Sequence, residues 1–150
     1  MAESMSRGIE FSTPEYKVAA NTLIEAGSMV AIERASNSNK GYAVPASAAA
    51  NKLVVGLALR TVDNRTTNTV GNSGLVGGAV VAVETSYCSR GLRAFEMLND
   101  TGTAVAQADV GANCYIKDAL TVTGDSTGTS VAGRVLRINS AGNPLVVFNA

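Results

Sequence analysis

The chain has 150 residues, with 12 basic side chains balancing 12 acidic ones, 46% hydrophobic residues and no histidine. The aliphatic content is too high for a disordered chain, and the length suits one domain, or one domain plus an arm. The missing histidine excludes Ser-His-Asp and Cys-His catalytic sets and metal or haem ligation by histidine, while the balanced charge argues against a dedicated nucleic-acid binder.

The first 14 residues are predicted to form an extended N-terminal arm. Ile9 and Phe11 are its apolar anchors and share one side of an extended chain, because side chains alternate along such a chain. Pro14 ends the segment. The arm lacks the apolar core of a signal peptide, and no run approaches the ~18 apolar residues that a membrane span needs. We therefore expect an arm over 1–14, a single β-rich domain over 15–150 and no membrane segment.

From residue 15 onward, short strand patterns alternate with polar turns. In the strongest pattern, over 53–62, Leu53, Val55, Leu57 and Leu59 are predicted to share one face. Residues 45–50 could form one helical turn, since proline is well tolerated at a helix start. Residues 63–78 are predicted to form a long polar loop, and residues 140–143 the turn of a terminal hairpin.

Strands are predicted over 29–34, 42–44, 53–62, 79–85, 92–98, 113–117, 119–123, 132–139 and 144–148. About eight to ten short strands predict a mainly β fold, a compact small barrel or sandwich with at most one short helical turn.

Two glycine-rich stretches resemble catalytic or phosphate-binding motifs only in composition. Residues 124–128 match G-x-S-x-G, but a nucleophile elbow needs a following helix and a histidine base. Residues 71–78 lead into a strand, whereas a phosphate loop opens a helix and carries a Lys-Ser or Lys-Thr pair. Both stretches are interpreted as polar loops.

Carboxylates are the remaining side chains that could act in catalysis or bind a metal ion. A pair of them could act in a histidine-free glycosidase, although each also suits an ordinary turn or strand edge. Calcium could bind near Asp63 and Asn64 or near Asn99 and Asp100, but neither stretch has a full ligand set at a known spacing. We assign no catalytic residue, cofactor or metal ligand, and predict that the chain is not an enzyme. The candidate carboxylates are Glu84, Glu96, Asp100, Asp109 and Asp118.

Two other groups of side chains have alternative interpretations. The cysteines Cys88 and Cys114 are predicted to be reduced, half-buried thiols, with a disulfide as the alternative. Four arginines of the second half could form a basic face for an acidic protein partner, or could be solvated and paired locally. These are Arg90, Arg93, Arg134 and Arg137.

Two stretches of the chain carry a family resemblance. The first is GYAVPASAAA over 41–50, followed by VVGLA over 54–58 and by VDN over 62–64. The second is ADVGANCYIKD over 108–118, which continues through VAGRV over 131–135 to LVVF over 145–148. Together they resemble the head decoration (capsid cement) proteins of tailed bacteriophages and Mu-like prophages, over about residues 16–149.

The resemblance implies a structural virion protein that is made in the host cytoplasm and bound to the outer surface of the capsid. Its partner would be the major capsid protein, and the protein would form a small homo-oligomer, with a trimer favoured. In that case Ile9, Phe11 and Pro14 are the expected capsid contacts, because an extended arm can add to a sheet edge. The alternatives are another phage structural component (a tail-tube, baseplate or fibre-base protein) and a histidine-free glycosidase-type enzyme.

Overall fold

The computed structural model describes residues 13–88 and 91–148 of the chain. The fold is mainly β, with 41% strand and 2% helix, which confirms the predicted class. The described residues hold one 3-10 helix, over Gln107–Asp109. Their strands are β1 (Glu15–Lys17), β2 (Leu23–Ile24), β3 (Met29–Glu33), β4 (Ala43–Pro45), β5 (Lys52–Ala58), β6 (Val62–Asp63), β7 (Val80–Glu84), β8 (Tyr87–Cys88), β9 (Gly91–Leu92), β10 (Phe95–Glu96), β11 (Leu98–Asn99), β12 (Asn113–Ile116), β13 (Thr121–Thr123), β14 (Val131–Ile138) and β15 (Pro144–Val147).

The first sheet has five strands in the order β1-β7-β5-β3-β4, and each neighbouring pair is antiparallel. A single parallel bridge joins Val18, just after β1, to Ala43 at the start of β4. Since β1 and β4 are the two outer strands, this bridge brings the two edges of the sheet together. The first sheet is therefore curled around its own interior.

The second sheet has six strands in the order β10-β15-β14-β12-β13-β11. Its neighbours are antiparallel except for β11 and β13, which run parallel. The predicted terminal hairpin is present as β14 and β15, joined by a turn in which Asn139 N donates to Asn143 O. Two further pairs, β2 with β6 and β8 with β9, form small two-stranded sheets.

Two apolar cores explain why β3 is buried along its whole length. Met29 and Ala31 of β3 pack in the core shared by the two sheets, which contains Phe148 of the C-terminal segment. Val30 and Ile32 point the other way, into the interior of the curled first sheet. A strand covered on both faces reads as a continuous apolar run, as β3 does.

The structure corrects several details of the predicted strands. The shared face predicted for Val55 and Leu57 is wrong, because the pairing of β3 with β5 shifts register at a bulge next to Val55. Val55 therefore packs in the interior of the first sheet, whereas Leu57 packs against the core between the sheets. A bulge adds one residue to a strand and so reverses the alternation beyond it. Leu53 and Leu59 of the same predicted face are exposed.

Other corrections concern element number and type. The described part of the chain has more strands than the eight to ten predicted, because 53–62 and 92–98 are each divided into short pieces and because β1, β2 and β8 were not predicted. The helical turn predicted over 45–50 is absent. Pro45 instead ends β4, and Ala46 N donates to Met29 O, which extends the strand pairing and buries the Ala46 methyl group. No helix within the described ranges is long and apolar enough to cross a membrane.

Candidate functional site

The first strand connects the predicted arm to the folded body. Of the three predicted contact residues, Ile9 and Phe11 lie outside the described residues. Pro14 is half-buried immediately before β1, and its carbonyl accepts a hydrogen bond from Val83 N at 3.1 Å. Residue 14 is thus fixed to β7 by its backbone.

β1 is an outer strand of the first sheet, so it has one paired side and one outward side. Pro14 and Val18 make their backbone hydrogen bonds to β7 and to Ala79 beyond it. In an antiparallel ladder these groups alternate in direction, so the N–H and C=O groups of Glu15 and Lys17 point away from β7. Both side chains are exposed as well. β1 therefore presents a short sheet edge at Glu15, before the Val18–Ala43 bridge joins this side of the strand to β4.

The loop between β6 and β7, residues 64–79, packs beside this edge. Val18 N donates to Ala79 O at 2.9 Å, and Gly77 N donates to Val18 O at 2.8 Å. Asn21 N also donates to Gly74 O at 3.0 Å. The β6–β7 loop is therefore folded back onto the residues that follow β1.

A fully buried asparagine holds the β6–β7 loop in place. The Asn64 side-chain amide donates to Ala19 O and to Leu75 O, each at 2.9 Å, and its oxygen accepts from Gly74 N at 3.1 Å. All of its principal hydrogen-bonding groups are thus used to connect two parts of the loop to the segment after β1. The buried side-chain amide of Asn64 is therefore fully engaged within the protein.

A second asparagine organises the outer half of the same loop. The Asn68 side-chain oxygen accepts from Val70 N and Asn72 N, at 3.1 and 3.0 Å. Its amide donates to Arg65 O and Asn72 O, at 2.7 and 2.6 Å. Neither asparagine was singled out from the sequence as the centre of a hydrogen-bond network, because asparagine is common in any polar loop.

Close packing explains the glycines that resembled a phosphate loop. A Cβ on Gly78 would lie 2.2 Å from Ser73 Oγ and 2.8 Å from Asn64 Oδ1. Gly74 has a φ of +75°, and a Cβ there would lie 3.0 Å from Thr66. These glycines are therefore accounted for by the compactness of the loop.

The β6–β7 loop also presents two apolar side chains to solvent. Leu75 is 69% exposed and Val70 is 68% exposed, the highest values among the large apolar side chains of the described residues. The stretch 66–78 contains no charged residue. The nearest charged side chain along the chain, Arg65, makes a two-point contact with Asp63, whose pKa is lowered to about 2 chiefly by the hydrogen bond from Arg65.

Three of the candidate carboxylates are bound to backbone amides of their own loops. Asp100 accepts from Gly102 N and Thr103 N, and these bonds, with one from the Thr123 hydroxyl, lower its pKa. Asp109 accepts from Ala106 N at 2.8 Å, and Asp118 accepts from Leu120 N at 2.9 Å. These contacts are typical of turn-stabilising carboxylates.

The other two candidate carboxylates lie on strands. Glu96 accepts from the side-chain amides of Asn143 and Asn139, which lower its pKa. Glu84 is half-buried at the end of β7. Among the residues of 13–88 and 91–148 there is no group of three or more acidic or cysteine side chains placed to hold a metal ion.

In the two stretches suggested for calcium, side-chain oxygen atoms already accept hydrogen bonds within the protein. Asp63 is bound by Arg65, and the Asn64 oxygen is bound by Gly74 N. The Asn99 oxygen accepts from Val105 N at 2.8 Å, while its amide donates to two carbonyls.

The described arginines of the second half are all exposed. Arg134 and Arg137 lie on β14, and Arg93 follows β9, where it donates to Thr85 O and stands 5.7 Å from the ring centre of Phe95. None of the three forms an ion pair with another described residue. Arg90 lies outside the described residues.

Cys114 is a free thiol, and it is completely buried rather than half-buried. Its Sγ donates to Gly133 O at 3.6 Å. Burial is the main reason that its pKa is raised to about 12. The side chain of Cys88 lies outside the described part of the chain.

The candidate site is thus the β1 edge together with the adjoining β6–β7 loop. Comparisons of the chain with protein-family models, with curated proteins and with solved structures find no match. The site is therefore defined by geometry and chemistry: Pro14 fixed to β7, a short sheet edge at Glu15, and a compact loop beside it that carries no charged residue over 66–78.

Proposed function

We propose that this chain is a structural virion protein that binds the outer surface of a phage head and cements neighbouring capsid subunits. The observation that carries the proposal is the position of β1. The predicted arm continues directly into an outer strand whose Glu15 and Lys17 side chains are exposed, and whose first residue, Glu15, lies ahead of the Val18–Ala43 bridge to β4. A strand edge of this kind can be extended by a second chain, with affinity from main-chain hydrogen bonds.

In this mechanism the residues before Pro14 lie extended on the capsid surface, with Ile9 and Phe11 as apolar anchors. Pro14 and β1 fasten the arm to the body through β7, so that tension on the arm is carried into the first sheet. The protein acts as a small oligomer, with a trimer favoured. Several weak contacts made together give firm attachment without one large interface, because each later contact is effectively intramolecular.

The bonding of the polar side chains supports a non-enzymatic function. The carboxylates that could have served a glycosidase make hydrogen bonds that shape turns, as Asp100 and Asp109 do, or that join strands to the terminal hairpin, as Glu96 does. A catalytic pair needs one carboxyl group with a raised pKa to act as an acid. The pKa values of Glu96 and Asp100 are shifted in the opposite direction.

The test is binding to undecorated heads of the phage or prophage that encodes the chain. The full-length protein should co-sediment with heads in a fixed ratio to the major capsid protein, and deletion of residues 2–13 should abolish or strongly reduce occupancy. A matched control replaces residues 2–13 by a Gly/Ser segment of equal length, which retains the backbone but removes Ile9 and Phe11. Unchanged occupancy after the deletion would refute the arm mechanism, and failure of the full-length protein to bind heads would refute the function.

A tail-tube protein is the second candidate, since the β6–β7 loop is long enough to be an insertion between strands. Its contacts with Ala19 and Asn21 fold it against its own body, whereas a loop that joins ring neighbours extends away. Electron microscopy of the purified protein distinguishes the two. Rings or tubes formed without heads would favour the tail tube, and assembly only on heads would favour the cement protein.

A further inference from the structure

We infer that two oppositely charged surfaces of this chain bind each other in neighbouring copies: an arginine face on β14 of one copy docks on a junction groove of the next. The inference rests on the proposed function, in which the protein acts as a small oligomer, and it identifies a second copy of this chain as the partner of both surfaces. The arginine face consists of Arg134, Leu136 and Arg137. The junction groove is lined by Leu23, Glu25, Glu96, Leu98, Asp118 and Leu120.

The junction groove is a continuous depression where the first sheet meets the edge of the second. Met29 N, at the start of β3, donates to Ala119 O at 2.7 Å and so joins the two sheets at this point. Leu120 lines two cavities here, of about 360 and 500 Å³, and Leu98 lines the first of them. Leu98 N donates to Leu120 O at 3.1 Å, and the two side chains are 54% and 48% exposed. The two leucines therefore form one apolar surface inside the groove.

The walls of the junction groove are acidic. A third cavity shares Leu98 and Asp118 with the first two, and four carboxylates line the three cavities together. Among the described residues that line them, Lys117 is the one basic side chain. No described lysine or arginine forms an ion pair with any of the four carboxylates. The groove therefore has a net negative charge beside its apolar surface. The carboxylates are those of Glu25, Glu96, Asp100 and Asp118.

The arginine face carries the opposite charge around an apolar side chain. The pairing of β14 with β15 shifts register between Val135 and Arg137, so Leu136 is the extra residue of a bulge. Arg134, Leu136 and Arg137 are all exposed as a result, while Val135 between them is buried. Leu136 is 47% exposed, and neither arginine forms an ion pair with another described residue. This face therefore matches the groove in polarity and is opposite to it in charge.

The charges indicate that the partner of each surface is a second copy of the chain. The whole chain is neutral, with 12 basic and 12 acidic side chains, so the acidic groove is balanced by basic groups elsewhere on the same molecule. The predicted arm has two acidic side chains and one basic one, so it lacks the basic surplus that the groove would attract. One molecule cannot join its own two surfaces, because β14 and β10 belong to the same sheet. The contact is therefore between molecules.

The position of the two surfaces favours a small closed ring. Glu96 pairs with Leu145, which pairs in turn with Arg137, so the acidic and basic groups lie two strands apart, about 10 Å at ~4.8 Å per strand. A contact between two different surfaces forms either a ring or an open filament. The smaller a ring is, the smaller the angle between the two contact surfaces of each copy. Adjoining surfaces are therefore suited to the small oligomer of the proposed function.

The experiment reverses the charges of each surface separately in the full-length protein. One variant carries Arg134→Glu with Arg137→Glu, and the other carries Glu25→Lys with Asp118→Lys. Sedimentation equilibrium of either variant alone should show a dissociation constant at least about a hundredfold above that of the wild type, because like charges then face each other. An equal mixture of the two variants should associate again, because each groove then meets an arginine-face position of opposite charge.

The matched control reverses two charges away from both surfaces, Arg34→Glu with Lys40→Glu. These exposed residues follow β3, at the opposite end of that strand from Met29 and the groove, and the control should associate as the wild type does. The charge variants should keep the wild-type melting temperature, because exposed side chains contribute little to folding. Asp118 also accepts a hydrogen bond from Leu120 N, so Glu25→Lys alone replaces the groove variant if that variant does not fold.

A second pair of variants tests the apolar part of the contact. Leu136→Ser should raise the dissociation constant about tenfold, as expected when a central apolar contact is truncated. Leu53→Ser is its control, because Leu53 is similarly exposed, at 44%, and lies on β5 of the first sheet. Self-association of the Leu53→Ser protein should equal that of the wild type.

The outcomes separate this inference from the function on which it rests. The inference is wrong if the wild type is monomeric, if the Arg134→Glu, Arg137→Glu protein associates as the wild type does, or if the two charge variants do not associate when mixed. The cement function stands in each of these cases, provided that the wild type binds undecorated heads. If the charge variants behave as expected and the wild type does not bind heads, the proposed function fails and the contact between copies stands.

Discussion

Replacing Asn64 by aspartate keeps the size of the side chain but removes both of its hydrogen-bond donors. In the folded protein those donors face the carbonyl oxygens of Ala19 and Leu75, each 2.9 Å away. A carboxylate would place negative charge against two carbonyl oxygens in a site with no solvent exposure. Asn64→Asp should therefore destabilise the protein more than Asn64→Ala does, although alanine leaves more empty space.

The magnitudes follow from the bonds that are lost. Asn64→Ala removes three hydrogen bonds, at about 1 kcal/mol of net stability for each, so the loss should be about 3 kcal/mol. For a domain of this size that lowers the melting temperature by about 6–12 °C. Asn64→Asp should cost about 4 kcal/mol or more at neutral pH, because burial of an uncompensated charge is added to the loss of the two donors.

The pH dependence gives an independent check of the same reasoning. Only the protonated acid can donate to a carbonyl, so the new carboxyl group should have a folded pKa raised above its unfolded value of about 3.9. Its favourable contribution is then present below about pH 4 and is lost as pH rises through the folded pKa. The gap between Asn64→Asp and wild type should widen from pH 4 to pH 7.

Urea unfolding followed by circular dichroism, at pH 4, 5.5 and 7, measures both effects. Asn37→Asp is the matched control, because Asn37 is exposed and its side-chain oxygen accepts a hydrogen bond from Asn39 N, which a carboxylate also accepts. Its stability should change by less than about 0.5 kcal/mol. If Asn64→Asp were as stable as the wild type at pH 7, or more stable than Asn64→Ala there, the assigned hydrogen bonds would be wrong.

Three further predictions concern the cores and the first sheet. Gly56→Ala should destabilise the protein by about 3 kcal/mol or prevent folding, because a Cβ would lie 2.1 Å from the backbone oxygen of Glu84; thermal melting measures the loss. Cys114 should react with a thiol reagent only at the rate of global unfolding, since it is buried and its pKa is raised to about 12; labelling followed by mass spectrometry measures that rate. Lys52→Met should cost about 2 kcal/mol at pH 7, because it leaves the buried Glu33 carboxylate without its charged partner; urea unfolding measures the difference.

Each of these predictions has its own control or contrary result. Gly102→Ala should be nearly neutral, since the nearest atom to its Cβ is 3.6 Å away, at ordinary contact distance. Rapid labelling of Cys114 in the native protein would contradict its burial. Burial alone would raise the pKa of Glu33, but the hydrogen bonds from Lys52 and Ala35 N outweigh it and hold the pKa below 4.5. The stability that Lys52 provides is therefore present above about pH 4.5 and should vanish as pH falls through the folded pKa.

The sequence is sufficient to predict the strands whose apolar pattern is long and local. β3 and the terminal hairpin lie close to their predicted bounds, because Val30 and Ile32 alternate along 29–34 as in a strand and the turn over 140–143 is rich in turn-forming residues. The bulge beside Val55 was not predictable, since it depends on how β5 pairs with β3 and not on any property of valine. Register is set by tertiary pairing, and one extra residue changes every later face.

The candidate site was predictable only in part. Pro14, predicted as the last residue of the arm, lies directly before β1, and proline fits poorly inside a paired strand. The partner of β1 could not be foreseen, since three residues carry too little pattern to select β7 from many strands. The structural role of Asn64 was missed for a related reason, because a buried asparagine that holds a loop and an exposed asparagine in a loop look the same in sequence.

The pairing of β1 with β7 also has a consequence for how the protein is made. Glu15 pairs with Ala82, so β1 can dock on β7 only after most of the first sheet has left the ribosome. Closing so long a stretch of chain carries an entropic cost and slows folding. A nascent or proteolysed chain that ends before Val80 would lack the strand with which β1 pairs. Docking of β1 is thereby coupled to synthesis of the chain through β7, which ends at Glu84.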